Sequence, residues 1–222
     1  MVISVHSVVS WDFALGIVPG WHTTIFAPYF VAGAIHSGLA MVLTLMIPLR
    51  KIFGYQKIIT NEVLENVAKT IVFTGLIVGF AYATEFFIAW YSHNAVEIEQ
   101  FRWRVTGEYR WGFYFMAVCN TLIPLLFLFK KVRTTIASLF IISLIVNFGM
   151  WWERFVIIIG GVARGFSPYA WGLYAPSIIE YGIMLGSFCL FFFLFLLFAK
   201  HLPSVSMTEM KETLDHGGSH AG

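Results

Sequence analysis

The sequence predicts an all-α integral membrane protein, a polytopic bundle of about five transmembrane helices, on three observations. Hydrophobic residues make up 59% of the chain and charged residues only 12%, with a mean hydropathy of +0.78, which is unlike a soluble domain. Apolar runs of about 20 residues, the length that crosses a bilayer as a helix, recur along the chain. Lys and Arg fall in short clusters between these runs, as in positive-inside loops.

Reading along the chain for such runs gives the predicted spans in order. They are Thr23–Leu49, Val67–Tyr91, Trp111–Phe129, Ile136–Ile159 and Pro176–Ala199. Residues 1–200 are therefore predicted to form one membrane bundle, in which residues 1–22 are a lead-in segment on the outer side. Residues 201–222 are predicted to be a polar cytoplasmic tail.

The basic residues predict the orientation of the spans. Most of them lie in the loops after the first and third spans and in the tail: Arg50, Lys51, Lys57, Lys130, Lys131, Arg133, Lys200 and Lys211. Alternating spans place these segments on one side, which the positive-inside rule makes cytoplasmic. The loop His93–Arg110 then lies outside. Its acidic and basic residues balance, which predicts a translocated or partner-facing loop.

Small residues, prolines and aromatic residues add expectations about packing. Gly75 with Gly79, and Ala34 with Gly38, are spaced for close helix approach, and Pro124 should bend the third span. Cys119 and Cys189 lie in apolar runs and are interpreted as packing residues rather than a disulfide. Trp and Tyr cluster at the outer span ends, where they form an aromatic belt, a lipophilic ligand pocket or both.

Ionisable residues inside the spans are the main functional signal. A charge at the centre of a membrane helix costs roughly 2.5 to 3.5 kcal/mol on insertion scales, so such residues are paired or used. Those concerned are Glu85, Glu153, Arg154 and Glu180, joined on the same side by Asp12 and His22. At 1.5 Å per residue, the residues within spans are each predicted to lie within about 10 Å of the outer boundary.

Arg154 is predicted to need a carboxylate from another helix. It shares a face of its helix with Asn147 and Trp151, whereas Glu153 points about 100° away. Glu85, Glu180 and Asp12 are the candidate partners. The alternative to a functional site is a buried ion-pair network that only fixes helix positions.

Carboxylates, His and Arg at one edge of a bilayer suit the oxidation of a lipophilic quinol. A quinol that is oxidised loses two protons, and it needs hydrogen-bond acceptors of tuned pKa beside aromatic walls. The chain contains no Cys-rich cluster motif or haem-attachment motif, and only His36 lies deep in a span, so no redox centre or metal site is predicted. Electrons would have to leave through a partner subunit.

Segments from separate parts of the chain carry a family resemblance. Trp11–Ala14 (WDFA), Pro19–Phe26 (PGWHTTIF), Glu85–Ser92 (EFFIAWYS) and Met150–Ile158 (MWWERFVII) closely resemble the NrfD/PsrC-type membrane subunits. Within that family they are most similar to ActC, and next to its sister ActF, of alternative complex III, a bacterial quinol oxidoreductase. Family members have two helix bundles, and this chain resembles the later one.

The resemblance implies a quinol site that faces a periplasmic-side iron–sulfur subunit. It further implies menaquinol as the substrate, cytochrome c subunits and a homologous NrfD-type membrane subunit as partners, and the bacterial inner membrane as the location. The implied catalytic residues are Asp12, His22, Glu153 and Arg154, and the implied substrate-binding residues are Glu85, Trp151 and Glu180. Asp12 and His22 are expected to accept hydrogen bonds and protons, and Arg154 to keep a nearby carboxylate ionised.

Two other classes of function stay open. A secondary transporter or a proton-conducting bundle also holds ionisable residues in its helices, although it usually places them near the midplane, where helices are interrupted. A structural anchor subunit of the same complex would bury an inert ion-pair network. The net charge of +2 is too small to indicate a nucleic-acid partner.

Overall fold

A computed structural model describes residues 1–167, 169 and 171–202. Apart from His201 and Leu202, the predicted polar tail lies outside the described residues. The regular structure of the described residues is helical, and five helices are long and apolar enough to cross a membrane. This confirms the predicted all-α polytopic fold.

The chain divides into two compact units, residues 1–173 and 174–222. The helices of the first unit are α1 (Val2–Ala14), α2 (Phe26–Ile52), α3 (Asn61–Tyr91), α4 (Ala95–Thr106), α5 (Arg110–Ala117), α6 (Lys130–Arg133) and α7 (Ile136–Val162). The second unit contains α8 (Ile178–His201). Ser177 and Glu180 form a capping box at its start, and nearly all of its side chains are exposed.

Side-chain caps and turns fix the helix ends in the first unit. The Thr60 hydroxyl accepts a hydrogen bond from the Val63 N–H at 3.3 Å to begin α3, and the Asn94 side chain accepts one from the Val96 N–H at 3.0 Å to begin α4. After α2, Gly54 adopts a left-handed φ of 71°, which glycine tolerates without a steric penalty.

The third span departs from α-helical geometry in its second half. After α5 the chain continues as a π-helical turn over Val118–Leu122 and a 3-10 helix over Ile123–Leu128. Pro124 lies in this segment and cannot donate an N–H to the carbonyl of Asn120 four residues earlier. The predicted effect of Pro124 therefore takes the form of a change of helix type.

Helix α2 packs against both α3 and α7 in the core of the first unit. The last turn of α2, with Arg50 and Lys51, and the short helix α6, with Lys130 and Lys131, define one end, called the basic end. Helix α4 lies at the opposite end, called the α4 end. Each end has its own buried cluster. The basic-end cluster contains Ala40, Leu43, Ile59, Leu64, Ala68, Ile71, Val72, Phe127, Leu139, Ile142, Val146 and Met150. The α4-end cluster contains Phe26, Tyr29, Phe30, Ala32, Val78, Ala81, Tyr82, Met116, Val156 and Ile157.

Glycines allow close contacts, although not at every predicted position. A Cβ on Gly75 would lie 3.1 Å from His36 Cε1, and one on Gly79 would lie 2.9 Å from Thr121 Cγ2. The expected close approach at Gly38 is wrong, because that position faces open space. On α2 the close contact is at Gly33 instead, where an added Cβ would lie 3.2 Å from Met150 Cε.

The segment predicted to be a free outer loop is instead a helix folded onto the bundle. In α4, Gln100 Nε2 donates to the Gly160 carbonyl at 2.7 Å, and the side chains of Phe101, Trp103 and Arg104 are buried. One side of α4 is therefore part of the core, and only its other side is available to a partner. The interpretation of His93–Arg110 as a partner-facing loop needs that correction.

Candidate functional site

A buried carboxylate lies at the centre of the candidate site. Glu153, on α7, is fully buried, and its Oε2 accepts a very short hydrogen bond from the Tyr82 hydroxyl on α3. The Asn120 amide, from the π-helical turn, donates to Glu153 Oε2 and to the Tyr82 oxygen, both at 3.0 Å. Three membrane-spanning segments therefore meet at one carboxylate oxygen.

Glu153 lies farther from the end of α7 than from the end of the predicted span. It is nine residues from Val162, the end of α7, which is about 14 Å at 1.5 Å per residue. The predicted span ended at Ile159, and the extra helical turn accounts for the difference. Glu85 is six residues before Tyr91, the end of both α3 and the predicted span, which is about 9 Å.

Arg154 pairs with its chain neighbour rather than with a carboxylate from another helix. Its Nη2 lies 3.6 Å from Glu153 Oε1, and its guanidinium stacks 4.8 Å from the Phe30 ring of α2. The prediction that Arg154 pairs with Glu85 or Asp12 is wrong in this structure, and Glu180 belongs to the second unit, where it accepts hydrogen bonds from Tyr174 and Ser177. The long Arg stem lets the guanidinium reach back to the adjacent carboxylate while it covers the aromatic ring.

Backbone geometry holds Asn120 in place. A Cβ at Gly149 would lie 2.4 Å from Asn120 Oδ1 and 2.5 Å from Cys119 Cβ, so only glycine fits there. A π-helical turn inside an α-helix is rare and is frequent at functional sites. Here it brings the Asn120 amide within reach of both Tyr82 and Glu153.

A second ionic group lies nearer the α4 end. Glu85 Oε2 on α3 is 3.6 Å from Arg104 Nη1 on α4, and the two side chains are only 7% and 5% exposed. The Arg104 guanidinium also stacks 4.6 Å from the Phe101 ring. Glu85 therefore takes its cation from α4, which explains why it does not pair with Arg154.

His22 and Glu97 form the outermost ionic contact of this group. His22 Nε2 lies 2.5 Å from Glu97 Oε1, and the Ser92 hydroxyl donates to Glu97 Oε2 at 3.4 Å. The turn before His22 contains Gly20 at a left-handed φ of 81°, and a Cβ there would lie 3.3 Å from Arg104 Nη2. His22 is 43% exposed, whereas Glu97 is 10% exposed, so the pair joins the buried site to the surface.

Neutral polar side chains continue from the Glu153 cluster toward the basic end. His36 Nδ1 lies 2.9 Å from Thr74 Oγ1 between α2 and α3. Farther along, the hydroxyls of Thr44 and Ser143 are 3.0 Å apart, and Asn147 Nδ2 donates to Thr44 at 2.9 Å. These residues and the ionic groups are separate polar groups spaced along the bundle, together called the polar column.

An aromatic groove lies between α5 and α7, next to Glu153 in the chain. It has a volume of about 600 Å³ and is almost entirely apolar. Its lining residues are Trp111, Gly112, Tyr114, Phe115, Val118, Phe148 and Trp152. Such a lining supports the interpretation of these aromatic residues as a lipophilic pocket, in addition to a belt.

The remaining predicted site residues lie apart from the two ionic groups or have local partners. Asp12 is exposed on α1, and Trp151 is half-buried and contacts Phe148, with 5.6 Å between ring centroids. In the second unit, Glu180 accepts hydrogen bonds at 2.6 Å from the Tyr174 hydroxyl and from the Ser177 N–H. The hydrogen bond to Glu180 raises the pKa of Tyr174.

Four residues of the site were missed by sequence reasoning, although spacing carries a signal for three. Tyr82 lies three residues before Glu85 on one helix face, and Glu97 and Arg104 lie seven apart on α4, two turns along the same face. Asn120 carries no pattern beyond its place four residues before Pro124.

Among the described residues, no group of three His, Cys, Asp or Glu side chains could hold a metal ion.

These features define a polytopic membrane protein that buries a carboxylate site beside an aromatic groove. The chain belongs to the NrfD family, because the family described as "Polysulphide reductase, NrfD" matches residues 1–164. It is thus the membrane subunit of a polysulphide reductase-like respiratory oxidoreductase, in a family that typically pairs with an iron–sulfur subunit. A search of curated proteins gives no match.

Proposed function

We propose that this chain is the quinol-binding membrane subunit, or half-subunit, of a respiratory quinol oxidoreductase of the alternative complex III type. Quinol is oxidised near the α4 end and becomes quinone by losing two electrons and two protons. The electrons pass to an iron–sulfur partner subunit, since no redox centre is proposed for this chain. The protons leave through carboxylates and His.

The observation that carries this proposal is the buried Glu153 carboxylate. A carboxylate with no exposure to water is costly unless it is paired and hydrogen-bonded. Tyr82, Asn120 and Arg154 supply those partners, yet Oε1 has only the Arg154 contact at 3.6 Å and no hydrogen bond among the described residues. One oxygen is therefore available to accept a proton from a bound hydroxyl group.

The aromatic groove supports a lipophilic substrate. Its volume of about 600 Å³ and its apolar lining fall within the size range of small-molecule pockets in proteins. Trp152 lines the groove and precedes Glu153 directly, so the pocket and the carboxylate share one turn of α7. Within this proposal the groove takes the hydrophobic tail of menaquinol.

The proposed setting is the bacterial inner membrane, with the basic end cytoplasmic and the α4 end facing the iron–sulfur subunit. A homologous NrfD-type membrane subunit and cytochrome c subunits complete the proposed complex. Single cysteines placed at Lys51, Lys130 and Glu99 test the orientation in intact cells. A membrane-impermeant thiol reagent should label only the cysteine at position 99, and labelling at position 130 would reverse the orientation.

Substrate binding is tested on the purified complex. Quinol-dependent reduction of an artificial acceptor should be inhibited by a head-group analogue of quinol. A density map with the inhibitor should place its head group beside Glu153 and Arg154. Quinol oxidation with the head group bound only to another subunit would leave this chain as a structural anchor.

The polar column supports a second candidate function, proton conduction through the bundle. Glu153 and Asn120 lie well inside their spans, and the π-helical turn interrupts the third span at Asn120, as expected for a conducting bundle. The complex reconstituted in vesicles should then move more protons per quinol oxidised than the two that the oxidation itself releases. Thr44→Val should abolish this excess while quinol oxidation continues, and the exposed Thr106→Val serves as its control.

A further inference from the structure

A small cavity lies between α3, α4 and the turn that precedes α2. Its polar walls are His22, Thr23, Glu85 and Glu97, and its apolar walls include Ile88 and Ala89. The cavity volume is about 10 Å³, the size of one water-sized probe, which is the smallest space that holds a water molecule. It connects the buried Glu85–Arg104 pair with the half-exposed His22–Glu97 pair.

Two polar atoms in this cavity's walls lack partners. Thr23 Oγ1 and Glu85 Oε1 are buried and have no hydrogen bond from the described residues. The Glu85 carboxylate pairs with Arg104 through Oε2, so Oε1 is its other oxygen. Leaving a buried polar group unsatisfied costs about 1 to 3 kcal/mol, and more when the group is charged.

We propose that one ordered water molecule binds in this cavity and bridges Thr23 Oγ1 and Glu85 Oε1 to the His22–Glu97 pair. A buried water usually makes two to four hydrogen bonds to groups that are otherwise unsatisfied. Thr23 and Glu85 supply two such groups. The Glu97 carboxylate, which already contacts His22 and Ser92, has lone pairs for a further hydrogen bond and supplies a third partner.

The bridging water gives Glu97 a role in proton release, a step that rests on the proposed quinol oxidation. A proton on Glu85 passes to the water while the water gives another of its protons to Glu97, so the water is unchanged. Glu97 passes the proton to His22, which is 43% exposed and releases it at the α4 end. Glu85 then returns to the carboxylate form in which it pairs with Arg104.

The water itself is tested by a density map of the intact complex that resolves ordered waters. A peak should lie within hydrogen-bond distance of Thr23 Oγ1 and Glu85 Oε1, about 2.6 to 3.2 Å. The peak should vanish in Thr23→Val, which keeps the shape of the side chain and removes its hydroxyl. A map that shows buried waters elsewhere and none at this position overturns the proposal.

The relay is tested by turnover per assembled complex. Thr23→Val should lower quinol oxidation about tenfold, with an unchanged quinol KM and a larger solvent isotope effect. This loss is smaller than the roughly 10²- to 10⁴-fold contribution of a positioned acid or base, because Glu97 stays in place. Thr23→Ser keeps the hydroxyl and should retain turnover, and the exposed Thr24→Val is the matched control.

Two further results separate the possible failures. If Thr23→Val does not assemble, Ala89→Val fills the cavity from α3 and should reproduce the slow turnover and the isotope effect. Equal turnover of the Thr23→Val and Thr24→Val complexes excludes the relay. A wild-type complex that oxidises no quinol refutes the proposed function instead, and the density maps still decide whether the water is bound.

Discussion

The two halves of the bundle solve the problem of polar groups in a membrane differently. In the basic-end half the polar side chains are mostly neutral, and Thr44, Ser143 and Asn147 satisfy one another and nearby carbonyls within a largely aliphatic cluster. In the α4-end half the buried cluster is richer in aromatic residues, which are Phe26, Tyr29, Phe30 and Tyr82, and charged residues such as Glu153 and Glu85 are buried beside it. Several of their polar atoms have no hydrogen bond among the described residues.

This difference distinguishes residues that stabilise the fold from residues that take part in the proposed reaction. A hydroxyl that donates to the carbonyl four residues earlier, as Thr44 does at 2.9 Å, is satisfied within its own helix and does not need a ligand. A buried carboxylate with an oxygen that accepts no hydrogen bond lowers the stability of the fold. Such a group is kept at positions where it has a function. Substitutions at the α4 end should therefore affect turnover, and substitutions at the basic end should affect stability.

The largest expected effect on turnover is that of Glu153→Gln. The amide oxygen still accepts hydrogen bonds from Tyr82 and Asn120, so the complex should assemble. The amide cannot accept a proton at neutral pH, and quinol oxidation per assembled complex should fall by roughly 10²- to 10⁴-fold. The exposed Glu62→Gln, the same chemical change at the start of α3, should leave turnover unaffected. Activity of the Glu153→Gln complex near that of Glu62→Gln would remove Glu153 from the mechanism.

Arg154→Leu comes next in expected effect. Removal of the guanidinium leaves the Glu153 carboxylate without its cation, which favours the protonated acid. A protonated acid accepts no quinol proton, so turnover should fall at least about tenfold. Arg102→Leu, on the exposed side of α4, is the control. Lost assembly with normal turnover in the surviving complex would favour a purely structural ion pair.

Gly149→Ala should have a smaller effect on turnover, and it should act by displacing the side chains packed against Gly149. The added methyl group would lie 2.4 Å from Asn120 Oδ1, and overpacking of this kind typically costs about 1 to 3 kcal/mol. The Asn120 amide should shift away from Glu153 and Tyr82, with a several-fold loss of turnover and a lower unfolding temperature. At Gly160 a Cβ meets open space, so Gly160→Ala should change neither quantity. Normal turnover in Gly149→Ala would show that the Asn120 contacts are dispensable.

Hydropathy predicted the spans well because long apolar runs depend on local composition alone. The structure places α2, α3 and α7 over the predicted runs, with ends that differ by a few residues. The charged segment His93–Arg110 was harder to interpret. Its Glu and Arg residues balance in composition, and only the helical spacing of Glu97 and Arg104 reveals that both lie on the buried side of α4.

Partner choice within the site could not be predicted from spacing. Adjacent residues on a helix point about 100° apart, which predicts that they do not pair, yet the long Arg154 stem lets its guanidinium reach Glu153 Oε1 at 3.6 Å. Glu85 was a candidate partner of Arg154, whereas the structure pairs it with Arg104 of α4, in the segment predicted to be a loop. Which carboxylate meets which cation depends on how α4 packs across the bundle, and that contact is long-range in the chain.

The smallest expected effect on turnover is that of Leu43→Ala, in the basic-end cluster. Leu43 is fully buried, and truncation of a buried Leu typically costs about 2 to 5 kcal/mol through lost contacts and a residual cavity. The complex should unfold at a lower temperature and assemble in smaller amounts, while turnover per assembled complex stays at the wild-type value. Leu144→Ala is the matched control because Leu144 is 43% exposed on α7, and its effect should stay within about 0.5 kcal/mol. A tenfold loss of turnover in Leu43→Ala, like that expected of Arg154→Leu, would mean that the two halves of the bundle cannot be separated into packing and chemistry.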